Sequence, residues 1–431
     1  MQNSEGKKNE LKVAVIGLGA SGAMAAVQAA QEGCRVSCFE KNEKLGKKIY
    51  ITGKGRCNVT NARPFPEFLQ GIGHNPKFLY SALTQFDNQA LMRFFQERAC
   101  PLKTERGQRV FPVSDHASDI NKCFERELKK LGVSCFYHET LCDFSYEKGS
   151  EGEGFYLLLQ GDGGARRRQF FHRLILATGG FSYPSTGSTG DGYHLLQEKG
   201  FSMKEAVPSL VPFVSRQERY RAFRGLTLKN IALAARIGKR EWREFGDLLF
   251  TDQGISGPVV LTLSSKLANL WGKKPKFSLD FKAALTPESL RHRLIREREE
   301  GANRSVKTLC QSFLPKNLVP FFLMQMNLDS HKPLHQWTRQ EEDRFLLGLK
   351  HFPLEIDAPG PFSQAVTTRG GLDTKELNPK TMECKKMPGL YVVGELVDVD
   401  AYTGGYNLQI AFSTGYVAGK SAAIRREGEK E

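Results

Sequence analysis

The sequence contains no run of apolar residues long enough to cross a membrane as a helix, for which roughly 18 residues are needed. Its first ten residues, MQNSEGKKNE, are polar and lack the apolar core of a secretory signal. Integral membrane proteins usually contain such an apolar run, and exported proteins usually begin with such a signal. We therefore expect no membrane span and a cytoplasmic location.

The nine cysteines form no Cys-x-x-Cys pair, and their number is odd. Structural zinc sites and disulfide frameworks usually show paired cysteine spacings. The pattern therefore favours a reducing compartment, and we expect neither a metal site nor a set of structural disulfides.

The sequence also lacks internal repeats, low-complexity segments and a recognisable nucleic-acid-binding motif. Its 431 residues predict two to three domains, and 40% hydrophobic with 25% charged residues is ordinary for a globular protein. The formal net charge is +15. This charge suits nucleic acid, an anionic surface, an anionic small substrate or simply a solvated basic surface, so it does not by itself indicate RNA binding.

The most informative segment present is residues 11–41. An apolar run at 13–16 predicts a buried strand, the turn GLGASG follows at 17–22, and an alanine-rich helix extends from there. Gly33 stands where a left-handed helix cap is expected, and a second strand leads to Glu40. The order strand, glycines, helix, strand and acid predicts a dinucleotide-binding Rossmann unit.

Each part of this motif has a physical function in nucleotide binding. Gly17 allows a tight turn, Gly19 lets a pyrophosphate approach the backbone, and Gly22 lets the helix pack closely on the strand. The helix N-terminus offers free N–H groups and the positive end of its dipole to the phosphates. The carboxylate of Glu40 suits ribose hydroxyls and would repel a 2′-phosphate. The motif alone leaves open whether the nucleotide is NAD or FAD.

Residues 44–61 are rich in Gly, Lys and Asn and follow neither a helical nor a strand period, which predicts an extended loop beside the first nucleotide turn. Its lysines and Arg56 are suited to neutralise a pyrophosphate or to hold an anionic substrate. Cys57 has two interpretations, a redox-active thiol near a cofactor or a small buried residue that packs the loop. The absence of a neighbouring cysteine favours the second.

A further strand followed by glycines occurs in the middle of the chain. The apolar residues 174–177 lead to Thr-Gly-Gly at 178–180, and a loop rich in Gly, Ser and Thr continues to residue 192. A backbone with so many hydroxyls and glycines suits close contact with a polar ligand.

The C-terminal part repeats this arrangement. A strand at 390–393 leads to Glu395, and the pair Gly404-Gly405 precedes a helix predicted at about 407–425. We therefore expect a nucleotide-binding fold that begins in the N-terminal segment and is completed by the C-terminal segment.

The chain between these parts has a different pattern. From about residue 201, short and alternating apolar segments predict a β-rich domain, and Thr286-Pro287 opens a helical insert. Thr338 to Glu341 predict a capping box at the start of the last helix of this insert. The predicted class is α/β, with a Rossmann-like domain at 11–200 and 369–426. The β-rich domain is predicted at 201–285 and 351–368, and the helical insert at 286–350.

Five segments together resemble the bacterial NAD(P)/FAD-dependent oxidoreductases of the BaiN/RdsA type, some of which are aminoacetone oxidase-like. The segments are spread over nearly the whole chain. One departure is Cys384, where the family usually has serine. The five segments are GKGRCNVTN (53–61), RVFPVSDHASD (109–119), ATGGFSYPSTGSTGDGY (177–193), LLFTDQGISGP (248–258) and GLYVVGELVDVDAYTGGYNLQIAFSTG (389–415).

The resemblance implies FAD in an extended conformation, with Glu395 at the ribitol and the N–H groups of residues 405–408 at the flavin pyrimidine edge. No histidine stands in a recognisable attachment motif, so we expect the FAD to be bound non-covalently. It also implies a β-barrel-like substrate domain that carries a small helical subdomain. The sequence has no second strand–GxGxxG–helix unit, so NAD(P)H is expected only as a transient electron donor. The candidate cofactor-binding residues are Gly17, Gly19, Ala20, Ser21, Gly22, Glu40, Lys41, Gly46, Lys47, Gly53, Gly55, Arg56, Cys57, Asn58, Thr178, Gly179, Gly180, Gly394, Glu395, Gly404, Gly405, Tyr406, Asn407 and Leu408.

The leading hypothesis is an FAD-dependent oxidoreductase in which a hydride passes between flavin N5 and a small organic substrate or NAD(P)H. No residue is identified as acid, base or nucleophile, and Arg56, Tyr183 and Thr368 are candidates for substrate positioning. One alternative is a flavin-dependent RNA-modifying enzyme, which the charge of +15 suggests. The other is a non-enzymatic flavin redox sensor with Cys57 as a relay. The sequence makes no prediction of the oligomeric state.

Overall fold

The computed structural model describes residues 11–425, which form two compact units. One unit contains the chain up to Ser209 and again from Phe362, and the other contains residues Leu210–Pro361. Residues 1–10, on which the expectation of no secretory signal rests, lie outside the described residues, as does the last residue of the predicted segment 369–426.

The first unit is built on a parallel five-stranded sheet. Its central strands are largely apolar and buried, as in Arg173–Leu176, whose four residues are all buried, whereas Ser134 and Phe136 of one edge strand are exposed. Val13, Ala14 and Val15 are fully buried in the strand that precedes the glycine turn. In spatial order the strands are Leu390–Val392, Arg173–Leu176, Lys12–Ile16, Arg35–Glu40 and Ser134–Tyr137.

The C-terminal helix Tyr406–Ala422 packs directly against the first helix, Ala20–Gln31. Glycines make this close approach possible, since a Cβ on Gly415 would lie 2.2 Å from the carbonyl oxygen of Ser21. The Rossmann-like unit is therefore completed by the C-terminal segment, and the predicted α/β class is confirmed.

The remaining strands of this unit form small antiparallel sheets. One pairs Glu139–Gly149, Gly152–Gly161 and Arg166–Phe171, and another pairs Thr60–Asn61, Arg109–Pro112 and Leu102–Glu105. The other helices of the unit are Lys47–Ile51, Phe65–Leu69, Pro76–Gln85, Asn88–Gln96, Ala117–Lys130 and Asp191–Glu198.

The boundary between the units differs from the one in the sequence analysis. The division falls after Ser209 rather than after Gly200, and after Pro361 rather than at residue 368. The reason is strand pairing, because Met203–Ser209 pairs with Thr367–Leu372 and both strands belong to the first unit.

The second unit contains a seven-stranded antiparallel sheet. Within residues 11–425 its two end strands, Phe352–Leu354 and Ala358–Pro359, do not pair with each other, so the sheet is open rather than a closed barrel. In spatial order the strands are Phe352–Leu354, Lys276–Asp280, Thr227–Ile237, Arg240–Thr251, Gly254–Ser256, Phe213–Val214 and Ala358–Pro359.

Helices surround this sheet, and four of them form the predicted helical insert. The last helix of the insert begins with the capping box expected from its sequence, because Thr338 and Glu341 each accept a hydrogen bond from the other's backbone N–H. The helices are Pro258–Leu267, followed by the insert helices Pro287–Glu299, Val306–Phe313, Val319–Gln325 and Arg339–Lys350.

A buried carboxylate joins the helical insert to the sheet of the second unit. Asp280 is 2% exposed, and its Oδ2 lies 2.7 Å from Nζ of Lys350 and 2.5 Å from Nη2 of Arg243. Lys350 also donates to the carbonyl oxygens of Lys282 and Leu285. The last helix of the insert is therefore fixed through one charged group.

No helix within residues 11–425 is both long and apolar enough to cross a bilayer.

Replacing Asp280 by Asn should destabilise the second unit by about 3 kcal/mol, because it leaves the buried Lys350 ammonium without its counter-charge. Arg243→Ala is the matched control, since the Arg243 side chain is 43% exposed and its loss should cost less than 1 kcal/mol. Denaturant unfolding measures both changes. Equal losses in the two variants would contradict the role given to Lys350.

The pKa of Glu341 leads us to expect that the stability of the second unit falls in acid. Burial alone would raise its pKa, but the Lys332 ammonium and the hydrogen bonds from Thr338 lower the pKa to about 2. The pKa of Glu341 in the folded chain is below the pKa of a glutamate in the unfolded chain, which is about 4.3. The stabilisation by the ionised carboxylate is therefore complete above about pH 4.3 and is lost as the pH falls towards 2. Thermal unfolding between pH 5 and 2 should show a shallower loss of stability for Glu341→Gln than for the wild type.

Candidate functional site

The first glycine turn has two glycines that the fold requires and one that faces open space. A Cβ on Gly22 would lie 1.9 Å from the carbonyl oxygen of Gly17, and Gly17 itself has a φ of +90°. By contrast, no heavy atom of the described chain lies within 4 Å of the Cβ position of Gly19. Gly19 is therefore the point at which a ligand could reach the backbone.

The first helix presents its N-terminus at this turn. It starts at Ala20 with Gly19 as N-cap, and within the described chain no side chain caps it and its first turn contains no acidic residue. The N–H groups of the first turn and the positive end of the helix dipole are therefore available to an anion.

Glu40 is fixed beside the same turn. Its side chain is buried, its Oε2 accepts from Leu18 N at 2.8 Å, and its Oε1 accepts from N and Nδ2 of Asn42 at 2.9 and 2.6 Å. A carboxylate accepts about four hydrogen bonds. Three are satisfied by the protein, which leaves capacity for a ribose hydroxyl.

The segment predicted as an extended loop contains regular structure. Gly46 has a φ of +65° and donates to Leu18 O at 2.9 Å, and it precedes the short helix Lys47–Ile51 and the 3₁₀ turn Thr52–Gly55. The helix has only five residues, KKIYI, and two of them are β-branched isoleucines, so no helical period is visible in the sequence. This short helix positions Lys48.

Three cations proposed for the cofactor or an anionic substrate are bound to carboxylates. Lys41 Nζ lies 2.6 Å from Asp191 Oδ2, and Lys47 Nζ lies 3.2 Å from Glu43 Oε2. The Arg56 guanidinium is paired with Glu105 and Asp115, and it lies 4.2 Å from the ring centroid of Phe111. These pairs give the three cations structural partners, and their role towards a cofactor stays a prediction.

Cys57, Asn58 and Thr178, all predicted to bind the cofactor, differ in what their side chains offer a ligand. Burial raises the pKa of the Cys57 thiol to about 12, which keeps it protonated at neutral pH and supports its interpretation as a packing residue. Asn58 Oδ1 and Thr178 Oγ1 are buried without a hydrogen-bond partner in residues 11–425. Such atoms are costly unless a ligand or water satisfies them, so both are candidate cofactor contacts.

A second uncapped helix N-terminus lies in the C-terminal segment. Gly404 and Gly405 have φ values of +123° and +99°, and a Cβ on Gly405 would lie 2.4 Å from the backbone of Thr60. The helix Tyr406–Ala422 follows, again without a side-chain cap inside the described chain.

Among the predicted residues at this helix start, the side chains of Tyr406 and Asn407 have structural contacts. Tyr406 packs against Phe68, with ring centroids 4.8 Å apart. The Asn407 amide exchanges two hydrogen bonds with the backbone of Ala401, at 2.9 and 2.7 Å. Leu408 is half-buried on the same turn. At these positions only the backbone N–H groups remain for a cofactor.

Glu395 is the centre of a compact polar cluster made of Lys48, Ser182, Thr368 and Glu395. Its Oε2 lies 2.6 Å from Lys48 Nζ, and its Oε1 accepts from Ser182 Oγ and, at 2.7 Å, from Thr368 N. Lys48 Nζ also donates to Ser182 Oγ at 2.5 Å. We call these four residues the Glu395 cluster.

The Glu395 carboxylate is ionised although its side chain is only 18% exposed. Burial alone would raise its pKa, but the Lys48 ammonium, together with the hydrogen bonds from Ser182 and Thr368, brings the pKa below its usual value. The cluster therefore consists of a fixed, nearly buried ion pair.

The backbone fixes this cluster from several directions. Thr368 Oγ1 accepts from Phe181 N at 2.8 Å and from Ser182 N at 3.1 Å. A Cβ on Gly180 would lie 2.5 Å from the same oxygen. Tyr183, another candidate for substrate positioning, has a φ of +51° and donates its N–H to Phe362 O.

The structure thus brings together most of the predicted cofactor segments. The turn at Gly17 contacts Ala177 and Thr178, and a Cβ on Gly394 would lie 2.6 Å from Ser21 Oγ. The segments meet at the carboxyl edge of the parallel sheet, where ligands of Rossmann folds bind. The sequence analysis missed Lys48 and Ser182, because nothing local distinguishes them from their neighbours.

The residues present fit FAD in four respects. An open backbone approach at Gly19 and an uncapped helix suit a pyrophosphate, and Glu40 retains acceptor capacity for a ribose. The second uncapped helix start at Gly405 and the orphaned oxygens of Asn58 and Thr178 provide further polar contacts. Fold and site together define a dinucleotide-binding flavoprotein of the Rossmann type.

Comparison with known proteins places the chain within this class. The chain belongs to the HI0933-like family, since the model of the HI0933-like protein Rossmann domain matches residues 11–421. This is the FAD-binding oxidoreductase family of the BaiN/RdsA type that the sequence motifs resemble, and membership supports a flavin cofactor.

Two relatives of known function align over nearly the whole chain. A 3-dehydro-bile acid delta(4,6)-reductase from Clostridium scindens is 31% identical over 423 residues, which cover 96% of this chain and 99% of the relative. A ribosomal RNA dihydrouridine synthase from Haemophilus influenzae is 28% identical over 409 residues, which cover 94% of this chain and 97% of the relative.

Solved structures share the fold at low sequence identity. A 3-ketosteroid delta1-dehydrogenase from Sterolibacterium denitrificans has a TM-score of 0.52 at 13% identity, over 96% of this chain and all of that chain. The E. coli quinol fumarate reductase FrdA has a TM-score of 0.51 at 14% identity, over 96% of this chain and 70% of that chain.

Two glycine substitutions should separate cofactor binding from folding. Gly19 has an ordinary φ of −75°, so Gly19→Ala should cost the apoprotein less than about 1 kcal/mol, because alanine is a poorer N-cap than glycine, while its methyl group weakens FAD binding at least tenfold. Gly22→Ala should instead destabilise the protein by about 1–3 kcal/mol, because its Cβ overlaps a carbonyl oxygen.

Thermal unfolding of the apoproteins and fluorescence titration with FAD measure the two effects. Unchanged FAD affinity in Gly19→Ala would contradict the assignment of this turn to the pyrophosphate.

Proposed function

We propose that the protein is an FAD-dependent reductase that saturates a carbon–carbon double bond conjugated to a carbonyl group in a small organic substrate. The observation that carries this proposal is the presence of two uncapped, parallel helix N-termini and of the Glu395 cluster among the segments that line the carboxyl edge of the sheet. Non-covalently bound FAD would supply a hydride from N5 to the electron-poor carbon of the double bond, and a proton from water would complete the saturation at the other carbon.

The two relatives support the type of bond. A delta(4,6)-reductase of a 3-dehydro-bile acid and a dihydrouridine synthase both, by their names, add hydrogen across a carbon–carbon double bond. In a 3-oxo steroid and in uracil, such a bond is conjugated to a carbonyl, which makes the distal carbon electron-poor and able to accept a hydride. The reaction that the two names share, addition of hydrogen to a conjugated double bond, is one subclass of oxidoreductase chemistry.

The residues of this chain would position the cofactor. The N–H groups that follow Gly19 would bind the pyrophosphate, Glu40 would accept from the adenosine ribose, and Glu395 would accept from the ribitol. The N–H groups that follow Gly405 would face the pyrimidine edge, where a helix N-terminus stabilises the negative charge of a reduced flavin.

NAD(P)H would serve as a transient electron donor. Within the described chain there is one Rossmann unit with a glycine turn, which lies at Gly17–Gly22. The C-terminal segment completes that unit and does not form a second Rossmann unit. A nicotinamide would therefore reach the flavin, deliver its hydride and leave before the organic substrate binds.

A second candidate function is the modification of ribosomal RNA. One relative is a ribosomal RNA dihydrouridine synthase, and residues 210–361 contain 25 Lys or Arg against 16 Asp or Glu. This unit therefore contributes most of the net positive charge, as expected if it met a phosphate backbone. The third hypothesis, a redox sensor with Cys57 as relay, has less support because that thiol is fully buried and stays protonated.

The first test is the visible spectrum of the purified protein, followed anaerobically as NADH or NADPH is added. We expect absorption bands near ~375 and ~450 nm, typical of oxidised flavin, that bleach with one of the two nicotinamides. A colourless protein that gains no flavin on reconstitution would contradict the proposal.

The second test distinguishes the two substrate classes. The reduced protein is mixed with a 3-oxo-4-ene steroid or with ribosomal RNA that lacks dihydrouridine, and the return of flavin colour is recorded. Reoxidation by the steroid supports the leading proposal. Reoxidation by RNA alone, weakening steeply with salt, would replace it with the second candidate. Bleached flavin that neither probe reoxidises would rule out both.

A further inference from the structure

The Glu395 cluster raises an electrostatic problem that the proposed function does not solve. Glu395 is an ionised carboxylate, 18% exposed, at the edge of the sheet where the cofactor segments meet. Its proposed partner is the flavin ribitol. A reduced flavin carries negative charge, and a nearby fixed carboxylate would oppose its formation, because the two charges repel strongly in a site of low dielectric.

Lys48 is placed to remove this repulsion. Its ammonium lies 2.6 Å from Glu395 Oε2, and its side chain is only 23% exposed. Charges held this close and this far from water are screened little by solvent or salt. The pair therefore presents nearly zero net charge to a neighbouring group, whereas either member alone would present a full charge.

We propose that Lys48 is the counter-charge of Glu395 and thereby sets the reduction potential of the bound flavin. The inference rests on the proposed function in one respect, since it requires a flavin at this edge of the sheet. It assigns to Lys48 an electrostatic role that acts through Glu395. It concerns how easily the flavin accepts electrons, and it is independent of which substrate receives them.

The surroundings of the pair prevent it from rearranging. Ser182 Oγ and Thr368 N both donate to Glu395 Oε1, and Thr368 is itself fixed by the N–H groups of Phe181 and Ser182. Phe181 and Ser182 lie in the loop after the strand Arg173–Leu176, and Thr368 lies in the strand Thr367–Leu372. Ser182 and Thr368 are 186 positions apart in the chain. Without Lys48 the carboxylate would therefore stay in place and remain next to the cofactor.

A lysine outside the cofactor segments provides a matched control. Lys199 Nζ lies 2.7 Å from Asp143 Oδ1, and the two side chains are 27% and 52% exposed. Lys48 and Lys199 thus share charge and an ion pair of similar length, and they differ in the carboxylate that they contact. An effect of general surface charge would be the same for both.

The experiment compares Lys48→Met, Lys199→Met, Glu395→Gln and the double variant Lys48→Met/Glu395→Gln, each as the flavin-loaded full chain. The midpoint potential of the flavin is measured by anaerobic spectroelectrochemistry. Lys48→Met should make reduction at least tenfold less favourable, which is about 30 mV for a two-electron couple. Glu395→Gln should shift the potential in the positive direction.

The double variant should return close to the wild-type potential, and Lys199→Met should not change it. Flavin content and thermal midpoint, measured on every variant, separate this effect from loss of folding. A fall in potential that the double variant fails to restore would show that Lys48 does not act through the charge of Glu395 and would overturn the proposal.

Loss of flavin from Lys48→Met has a defined meaning as well. If the double variant binds flavin again, the uncompensated carboxylate expelled it, and the proposal stands. If neither variant binds flavin while Lys199→Met does, Lys48 is needed for another reason and the proposal fails. A wild type with flavin but no activity on double bonds would contradict only the proposed function, whereas a wild type that takes up no flavin would overturn both.

Discussion

The close packing of the first helix against the last one is the constraint on which the rest of the structure depends. Cβ atoms on Gly415 and Gly419 would lie 2.2 and 2.4 Å from the carbonyl oxygens of Ser21 and Ala25. Glycine inside a helix costs about 0.5–1 kcal/mol relative to alanine. The chain accepts this cost twice because only glycine lets the two backbones come so near.

This contact determines the electrostatics of the candidate site. The two helices run parallel, since Gly415 and Gly419 face Ser21 and Ala25, and the last helix begins nine residues before Gly415, roughly 13 Å beyond the start of the first helix. Two positive helix ends without side-chain caps in the described chain therefore point the same way at two separate positions. One buried carboxylate, Glu395, stands in the same region with Lys48 as its partner. The region is therefore strongly polar and still close to neutral, which suits a group whose charge changes during a reaction.

The sequence was sufficient for the parts of the fold that follow from local chemistry. The glycine turn at 17–22, the left-handed Gly33 and the capping box at Thr338 all depend on residues a few positions apart, and each is found in the structure. The Glu395 cluster could not be predicted in this way. Lys48 and Glu395 are 347 positions apart, and their pairing follows from the completed sheet rather than from any local pattern. The boundary predicted after residue 200 differs from the observed one after Ser209 for a similar reason, because the strand Met203–Ser209 pairs with the distant strand Thr367–Leu372.

The same helix contact has a consequence for the order in which the protein acquires its structure during synthesis. The segment Ala20–Gln31 is synthesised before residues 210–361, and its packing partner Tyr406–Ala422 is synthesised after them. The strand Leu390–Val392, which forms one edge of the parallel sheet, also follows them. Residues Leu210–Pro361 form one continuous unit with its own core. All residues of the inserted unit are therefore present on the nascent chain while the Rossmann unit that flanks it in sequence still lacks this helix, and the face of the first helix that packs on Tyr406–Ala422 stays uncovered until that segment has been made.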